Sequence, residues 1–235
     1  MSKKHFDDKF IDEIVVDADN NYFSGVLNYC MKASLPKVVC DIGCGNGVFT
    51  GTIKNNYDCK LIGLDGSPHA LKKASKLNFD KLHHLSDFSN DVLPIDSNSV
   101  DLVICKDVME HLLDPLHLTK EIFRITKPGG FALIHVPNHF PIWGRAKFLL
   151  TNNIDTFSYF SESDRYEYPH IRFFTLGSIK NMITRSGFKG VENISYFFTR
   201  VPIIHRLIPL SVAKLLAKFS TNNFSEGITI LVSKA

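Results

Sequence analysis

Val38-Val39-Cys40-Asp41-Ile42-Gly43-Cys44-Gly45-Asn46-Gly47 is the stretch that decides the fold of this 235-residue chain. Its first five residues form a short apolar run with β-branched side chains, the composition of a strand buried on both faces. Alternating glycines follow at once. There the backbone must turn sharply and let a ligand approach with no Cβ atoms in the way. Such a turn delivers the ligand to the free N–H groups of a helix N-terminus, and a helix is expected over residues 48–55. A dinucleotide fingerprint, G-x-G-x-x-G, would place its third glycine where Val48 stands, whereas the glycine is Gly47. Asp41, two residues before the first glycine, would repel a pyrophosphate and suits a cationic amino group. Both features count against an NAD-dependent oxidoreductase.

Working outward, residues 61–64 read as a second buried strand ending at Asp65. Ser67 can cap a helix with Pro68 at its first position, running to about Leu77. Residues 81–85 and 100–105 read as the third and fourth strands. Helical material is expected over 107–126, restarted by Pro115 and stopped by Gly129-Gly130, and a fifth strand over 131–136. Apolar strands alternating with helices mean a parallel sheet covered on both faces. Four parts of a single domain are expected: an N-terminal helical segment, 1–36, with a break around 17–21; a core, 37–136; an insertion, 137–174; and a C-terminal part, 175–235, that completes the sheet. The insertion carries Trp143, Phe148, Phe157, Tyr159, Phe160, Tyr166 and Tyr168 and is expected to act as a lid. After it come a helix over 175–186 closed by Gly187, a strand-like run over 191–199, a basic amphipathic segment over 203–219 and a last strand over 228–232.

Composition narrows the function classes. Hydrophobic residues are 44% and charged residues 22%, which excludes disorder as the main state. A net charge of +3 is too weak to argue for a nucleic-acid partner. The five cysteines, Cys30, Cys40, Cys44, Cys59 and Cys105, form no C-x-x-C pair and read as free buried thiols in a reducing compartment. No apolar stretch reaches the length of a membrane span, and residues 1–19 lack the apolar core of a secretory signal. A cytoplasmic protein is expected.

In their order and spacing these pieces resemble the class I S-adenosylmethionine-dependent methyltransferases, of the small-molecule kind with a type 11/12-like domain. The glycine loop is similar to that family's motif I. The segment Leu93-Pro94-Ile95-Asp96-Ser97-Asn98-Ser99-Val100-Asp101-Leu102-Val103 resembles its approach to strand four, and Lys127-Pro128-Gly129-Gly130 its turn into strand five. The resemblance is strong over residues 37–136 and loose from Thr175 onward. It implies an α/β, Rossmann-like, doubly wound sheet of seven mostly parallel strands with an antiparallel last strand, helices on both faces and a lid after strand five. It implies S-adenosylmethionine as cofactor, with Asp41, Gly43, Cys44, Gly45 and Gly47 around it. Asp65 and Gly66 would serve the ribose hydroxyls, Asp87 the adenine amino group, and Phe88 the ring, with Lys106 nearby. The intact loop and Asp65 count against a non-catalytic binding module on the same fold. Asp101, at a strand start, is expected to be structural.

Transfer from a sulfonium is an in-line displacement, so much of the work is positioning and exclusion of water. A base is needed only for a poorly ionised hydroxyl or a protonated amine. His111 follows strand four at the carboxyl edge, where open α/β sheets place their sites, and is the candidate base or acceptor contact. Asp107, Glu110 and His111 stand at i, i+3 and i+4 and can share one helical face. That D-x-x-E-H pattern is similar to the E-x-x-E-H metal motif of ubiquinone-type and small-RNA O-methyltransferases. The aspartate shortens the reach, and no metal is assigned. His139, His170 and Arg172 are expected to bind the acceptor, since H-x-R-x-F-T resembles what small-molecule methyltransferases carry before their penultimate helix. Arg145, Lys147, Arg165 and Arg172 suit a carboxylate or phosphate on the acceptor, or form a solvated face. The expected acceptor is a small or lipid-linked metabolite and not nucleic acid; its identity, the atom methylated and the oligomeric state stay open. In the segment 203–219, Val212, Leu215, Leu216 and Phe219 recur at helical spacing, with Lys214 and Lys218 off that stripe. Two readings are open: the stripe packs on the sheet or lid, or it stays exposed and makes peripheral contact with a membrane surface.

Overall fold

The computed structural model describes residues 21–151, 170–198 and 209–235. Seven strands form one sheet in the order β3-β2-β1-β4-β5-β7-β6: β1 (Val38–Ile42), β2 (Lys60–Asp65), β3 (Lys81–His84), β4 (Val100–Lys106), β5 (Thr126–Pro137), β6 (Gly190–Asn193) and β7 (Gly227–Ser233). The first five pair in parallel, and β7 runs antiparallel to both β5 and β6. The helices are α1 (Asn21–Ser34), α2 (Pro68–Ala74), α3 (Pro115–Ile125), α4 (Ile142–Thr151), α5 (Leu176–Arg185), α6 (Leu210–Phe219) and the single turn α7 (Thr221–Phe224).

The near-continuous apolar strands bury both faces. Along β1, Cys40 and Ile42 enter one core cluster with Leu118 and Ile122 of α3 and Ile179 and Ile183 of α5. Val39, pointing the other way, joins Val26, Leu27 and Met31 of α1 in a second cluster. This is the period of two expected of a strand between two layers. Each fully buried aliphatic side chain contributes about 1.5–3 kcal/mol. Asp101 ties β1, β4 and β5 together at the amino edge of the sheet, accepting from the Lys37 and Val38 amides and from Lys127 Nζ at 2.6 Å. All five cysteines are buried and unbridged. Among the described residues no helix is long and apolar enough to cross a membrane.

Local chemistry accounts for where the elements start and stop. Ser67 Oγ accepts from Ala70 N, and Pro68 opens α2. Asp114 caps α3 ahead of Pro115, and Thr175 with Ser178 forms a capping box on α5.

Several expectations need correction. Residues 48–55 are not a helix but turns followed by a 3₁₀ turn, Ile53–Asn55. Gly47 takes φ +81°, and Thr50 spends its hydroxyl on Asp41. Helical structure does not begin at 107. Asp107 has φ +54°, and only a 3₁₀ turn, Met109–His111, precedes α3. The run 191–199 is a strand only to Asn193, whose Oδ1 accepts from Ser195 N and Oγ and turns the chain. β5 begins at Thr126, before Gly129-Gly130 rather than after them. In α6 the buried side chains are Ala213 and Ala217, while Val212, Leu215 and Phe219 are exposed, Phe219 to 86%. Of the bulky stripe only Leu216 is partly buried, so most of it stays exposed rather than packing on the described residues. The expectations for residues 1–20, for Phe157, Tyr159, Phe160, Arg165, Tyr166 and Tyr168, and for 199–208 lie outside the described residues.

Candidate active site at the carboxyl edge of the sheet

The ends of β1, β2, β4 and β5 carry the buried polar residues Asp41, Asp65, Glu110, Asn138 and His139. After β1 the loop folds over β2, with Gly43 and Cys44 both donating to Leu64 O. Gly43 has φ +73°, and a Cβ there would stand 2.2 Å from Val108 Cγ2. Gly45 differs. Its φ is +55°, yet a Cβ would meet nothing within 4 Å, so the loop presents bare backbone to open space.

Two carboxylates flank this loop. Asp41 is 4% exposed and accepts from Thr50 Oγ1 at 2.6 Å. Burial pushes its carboxyl up to about 7; the Thr50 hydroxyl and Lys106 work against that, and Asp65 works with it. Asp65, at the end of β2, accepts from Gly45 N at 2.7 Å and from Ser67 N at 2.8 Å, and burial raises it too. Gly66 follows, with its carbonyl against His84 Nε2. Beyond β3, Asp87 accepts from Ser89 N and Asn90 Nδ2, and Phe88 is buried beside it.

At the end of β4, Lys106 pairs with Asp107 and lies 4.8 Å above the Phe49 ring. Asp107 also faces His135 of β5 at 3.5 Å, and His135 Nδ1 meets Thr229 Oγ1 of β7. Asp107 is therefore drawn toward Lys106 and His135 and does not share a helical face with Glu110 and His111. The left-handed backbone at Asp107 separates them.

Glu110 and His111 close the 3₁₀ turn after β4. Glu110 has no exposure, and neither of its carboxylate oxygens has a hydrogen-bond partner. Burial, and secondarily Asp107, hold its carboxyl well above the usual range. Asn138, which follows β5, donates to the carbonyls of Thr221, Asn222 and Ser225, anchoring the start of the insertion. That anchor sets His139, whose Nε2 lies 2.7 Å from His170 Nδ1. His170 also stands edge-on to His111, with ring centroids 4.8 Å apart. Burial, then the nearby His111, lowers both His139 and His170 to about 4, so both are neutral imidazoles near pH 7.

The structure thus brings together three histidines that sequence reasoning named separately, at 111, 139 and 170. Arg172 joins them through its backbone, but its guanidinium is exposed and donates to Leu113 O. Arg145 and Lys147 are exposed, with Arg145 against Asn223 Oδ1. Thr50, Phe49 and His135 were missed. For His135 a signal existed: it is the one polar residue in the apolar run 131–136.

The chain matches the family model described as a methyltransferase domain over residues 18–193. It is 31% identical over 165 residues to the tRNA U34 carboxymethyltransferase of Sulfurovum sp. (strain NBC37-1), covering 66% of this chain and 49% of that one. It is 36% identical over 99 residues to the malonyl-[acyl-carrier protein] O-methyltransferase of Marinomonas sp. (strain MWYL1), covering 41% and 36%. The chain spans about half or less of the length of these curated relatives. Among solved structures, a SAM-dependent methyltransferase from Archaeoglobus fulgidus superposes with a TM-score of 0.58 at 18% identity, covering 92% of this chain and 95% of that one. The sheet order and its single antiparallel strand agree with that likeness of fold. The chain belongs to the methyltransferase domain family, on the fold of the class I S-adenosylmethionine-dependent enzymes.

Proposed function

We propose that this chain transfers the methyl group of S-adenosylmethionine to a small or lipid-linked acceptor that docks over His111, His139 and His170. The observation that carries the reading is the Gly45 N–H held by Asp65 Oδ2 at 2.7 Å beneath a loop surface with nothing within 4 Å. Bare backbone and a carboxylate thus face open space, where a ribose and a methionine part can lie. Each carboxylate oxygen has more than one acceptor position, so Asp65 can keep Gly45 and Ser67 while taking both ribose hydroxyls. Asp41 complements the cofactor's cationic amino group through Lys106-tempered charge at the base of the loop. Gly43, Cys44, Gly47 and Gly66 shape this surface, and Asp87 and Phe88 serve the adenine.

Acceptor contact falls to His111, with His139, His170 and Arg172 around it. His139 and His170, both neutral near pH 7, place no positive charge of their own beside His111. The printed name of the Sulfurovum relative makes tRNA the competing acceptor class. The mild net charge of +3 favours the small acceptor. The exposed Val212, Leu215 and Phe219 beside Lys214 and Lys218 support peripheral contact with a membrane surface, where a lipid-linked acceptor would be met.

Calorimetry with S-adenosylmethionine tests the cofactor half. Asp65→Ala is expected to weaken binding about tenfold or more, since a carboxylate contact to hydroxyls contributes about 1.5–3 kcal/mol. Unchanged affinity removes the ribose placement. Radiolabelled methyl transfer into fractionated cell extract tests the acceptor half. Label in the small-molecule or lipid fraction, abolished in His111→Ala, supports the reading; label in RNA overturns it.

A further inference from the structure

We propose that Glu110, His111 and His170 bind a divalent transition-metal cation of the zinc or manganese class, whose open position receives an oxygen of the acceptor. One ligand atom from each residue lies within 4.8 Å of the other two. Around one ion, tetrahedral ligands stand about 3.3 Å apart, given metal–ligand distances near 2.0–2.1 Å. A small side-chain rotation closes the difference.

A second, independent observation points to a cation here. The Glu110 side chain is wholly buried, yet neither oxygen has a hydrogen-bond donor, and His111 Nε2 is 4.0 Å from Oε1. That separation is too long for a hydrogen bond. A buried carboxylate with no donor is costly unless a proton or a positive ion meets it. Four residues away along the chain, Lys106 pairs with Asp107.

The backbone builds the site from distant parts of the sequence. Ile171 N and Arg172 N both donate to Glu110 O, at 2.8 and 3.0 Å, which brings His170 against the turn that carries Glu110 and His111. His139 then orients His170. With His170 Nδ1–H donating to His139 Nε2 across 2.7 Å, the lone pair of His170 lies at Nε2. This is the arrangement by which a ligating histidine is fixed from its other nitrogen. His139 is thus a positioning residue. The ligand set is two imidazoles and one carboxylate, which suits a borderline cation and leaves a coordination position for a further oxygen. It differs from the i, i+3, i+4 set read along the sequence, because Asp107 is excluded and His170 takes part.

The inference deepens the methyltransferase reading: it makes the acceptor atom an oxygen. The acceptor hydroxyl gives its proton to solvent, its oxygen forms the new O–CH3 bond, the S–CH3 bond breaks, and its electron pair stays on sulfur as a neutral thioether.

The test uses the full chain with neither methyl donor nor acceptor, so its outcome is separate from that of the transfer assay. The chain is dialysed against chelator and titrated with Co2+ followed by its visible absorption, and Zn2+ uptake is counted by atomic emission. One equivalent per chain is expected. Glu110→Gln and His170→Ala are each expected to weaken uptake about tenfold or more, whereas His83→Ala, on the edge strand β3, is expected to leave it unchanged. His170 is only half-buried, so that variant keeps its fold, as circular dichroism checks. Absence of a stoichiometric band, or uptake that survives both Glu110→Gln and His170→Ala, overturns the proposal.

Discussion

The backbone N–H of Ile171 donates to the carbonyl oxygen of Glu110 at 2.8 Å, joining residues sixty-one positions apart (171 − 110). The bond places His170 beside His111 and makes the histidine cluster depend on the chain that leads into α5. Arg172 reinforces it twice, through its own amide to Glu110 and through its guanidinium to Leu113 O.

Arg172→Ala is expected to loosen this junction without unfolding the protein. The guanidinium is exposed, so the stability loss should stay within about 1 kcal/mol. Methyl transfer should fall several-fold while the affinity for S-adenosylmethionine holds, and the Ile171 amide should exchange faster with solvent. Equal exchange in the variant and the parent chain would remove the guanidinium from any role in holding His170.

Gly43 and Gly45 should respond differently to alanine. At Gly43 the new Cβ falls 2.2 Å from Val108, so packing and the left-handed backbone both suffer. A loss of about 3 kcal/mol in urea unfolding is expected. Gly45→Ala meets no protein atom, and only the backbone cost of about 1–2 kcal/mol applies. Calorimetry should nonetheless show weaker cofactor binding in Gly45→Ala, because its methyl group enters that open space.

Asp41 makes stability depend on pH in a defined direction. Its carboxyl is raised from 3.8 to about 7, mainly by burial. The stability it contributes is full below about 4 and is lost as pH rises through about 7. Urea unfolding at pH 5 and pH 8 should therefore differ more in the parent than in Asp41→Asn, by roughly 2 kcal/mol. A cationic ligand group beside Asp41 would draw its carboxyl down again. Cofactor binding near pH 7 is thus expected to release protons, visible as a dependence of the calorimetric heat on the buffer. Identical heats in phosphate and Tris would count against contact between that amino group and Asp41.

The orientation of α6 can be checked by two substitutions of opposite character. Leu215→Ser changes an exposed side chain and should shift stability by less than about 0.5 kcal/mol. Ala217→Leu forces bulk into a fully buried position and should cost about 1–3 kcal/mol. Flotation with anionic liposomes tests the outer face. Binding that falls with salt and disappears in Lys214→Glu/Lys218→Glu is expected, and its absence at low salt would leave the face without a membrane role.

The sheet was legible because its evidence is local. Val38–Ile42, Lys60–Asp65 and Val100–Lys106 are apolar runs bounded by turn residues, and their alternation with helices admits few topologies. The glycine loop and Asp65 were legible for the same reason, since the turn and the strand end are set by neighbours in sequence. Helix extents were less legible at 48–55 and after Asp107. There side-chain bonds such as Thr50 to Asp41, and positive φ at Gly47 and Asp107, override the helical pattern.

By itself, then, the sequence determined the apolar strands of the parallel core, the glycine turn after β1 and the carboxylates at Asp41 and Asp65 beside it, because each follows from residue type and short spacing. Only the tertiary structure decided which face of α6 is buried, that Asp107 turns to Lys106 and His135, and that Glu110, His111, His139 and His170 share one neighbourhood. Those outcomes rest on contacts between residues far apart in the chain, such as His135 with Thr229 and Ile171 with Glu110. No local periodicity encodes such contacts; they exist only once the sheet has brought its carboxyl edge and the segment before α5 together.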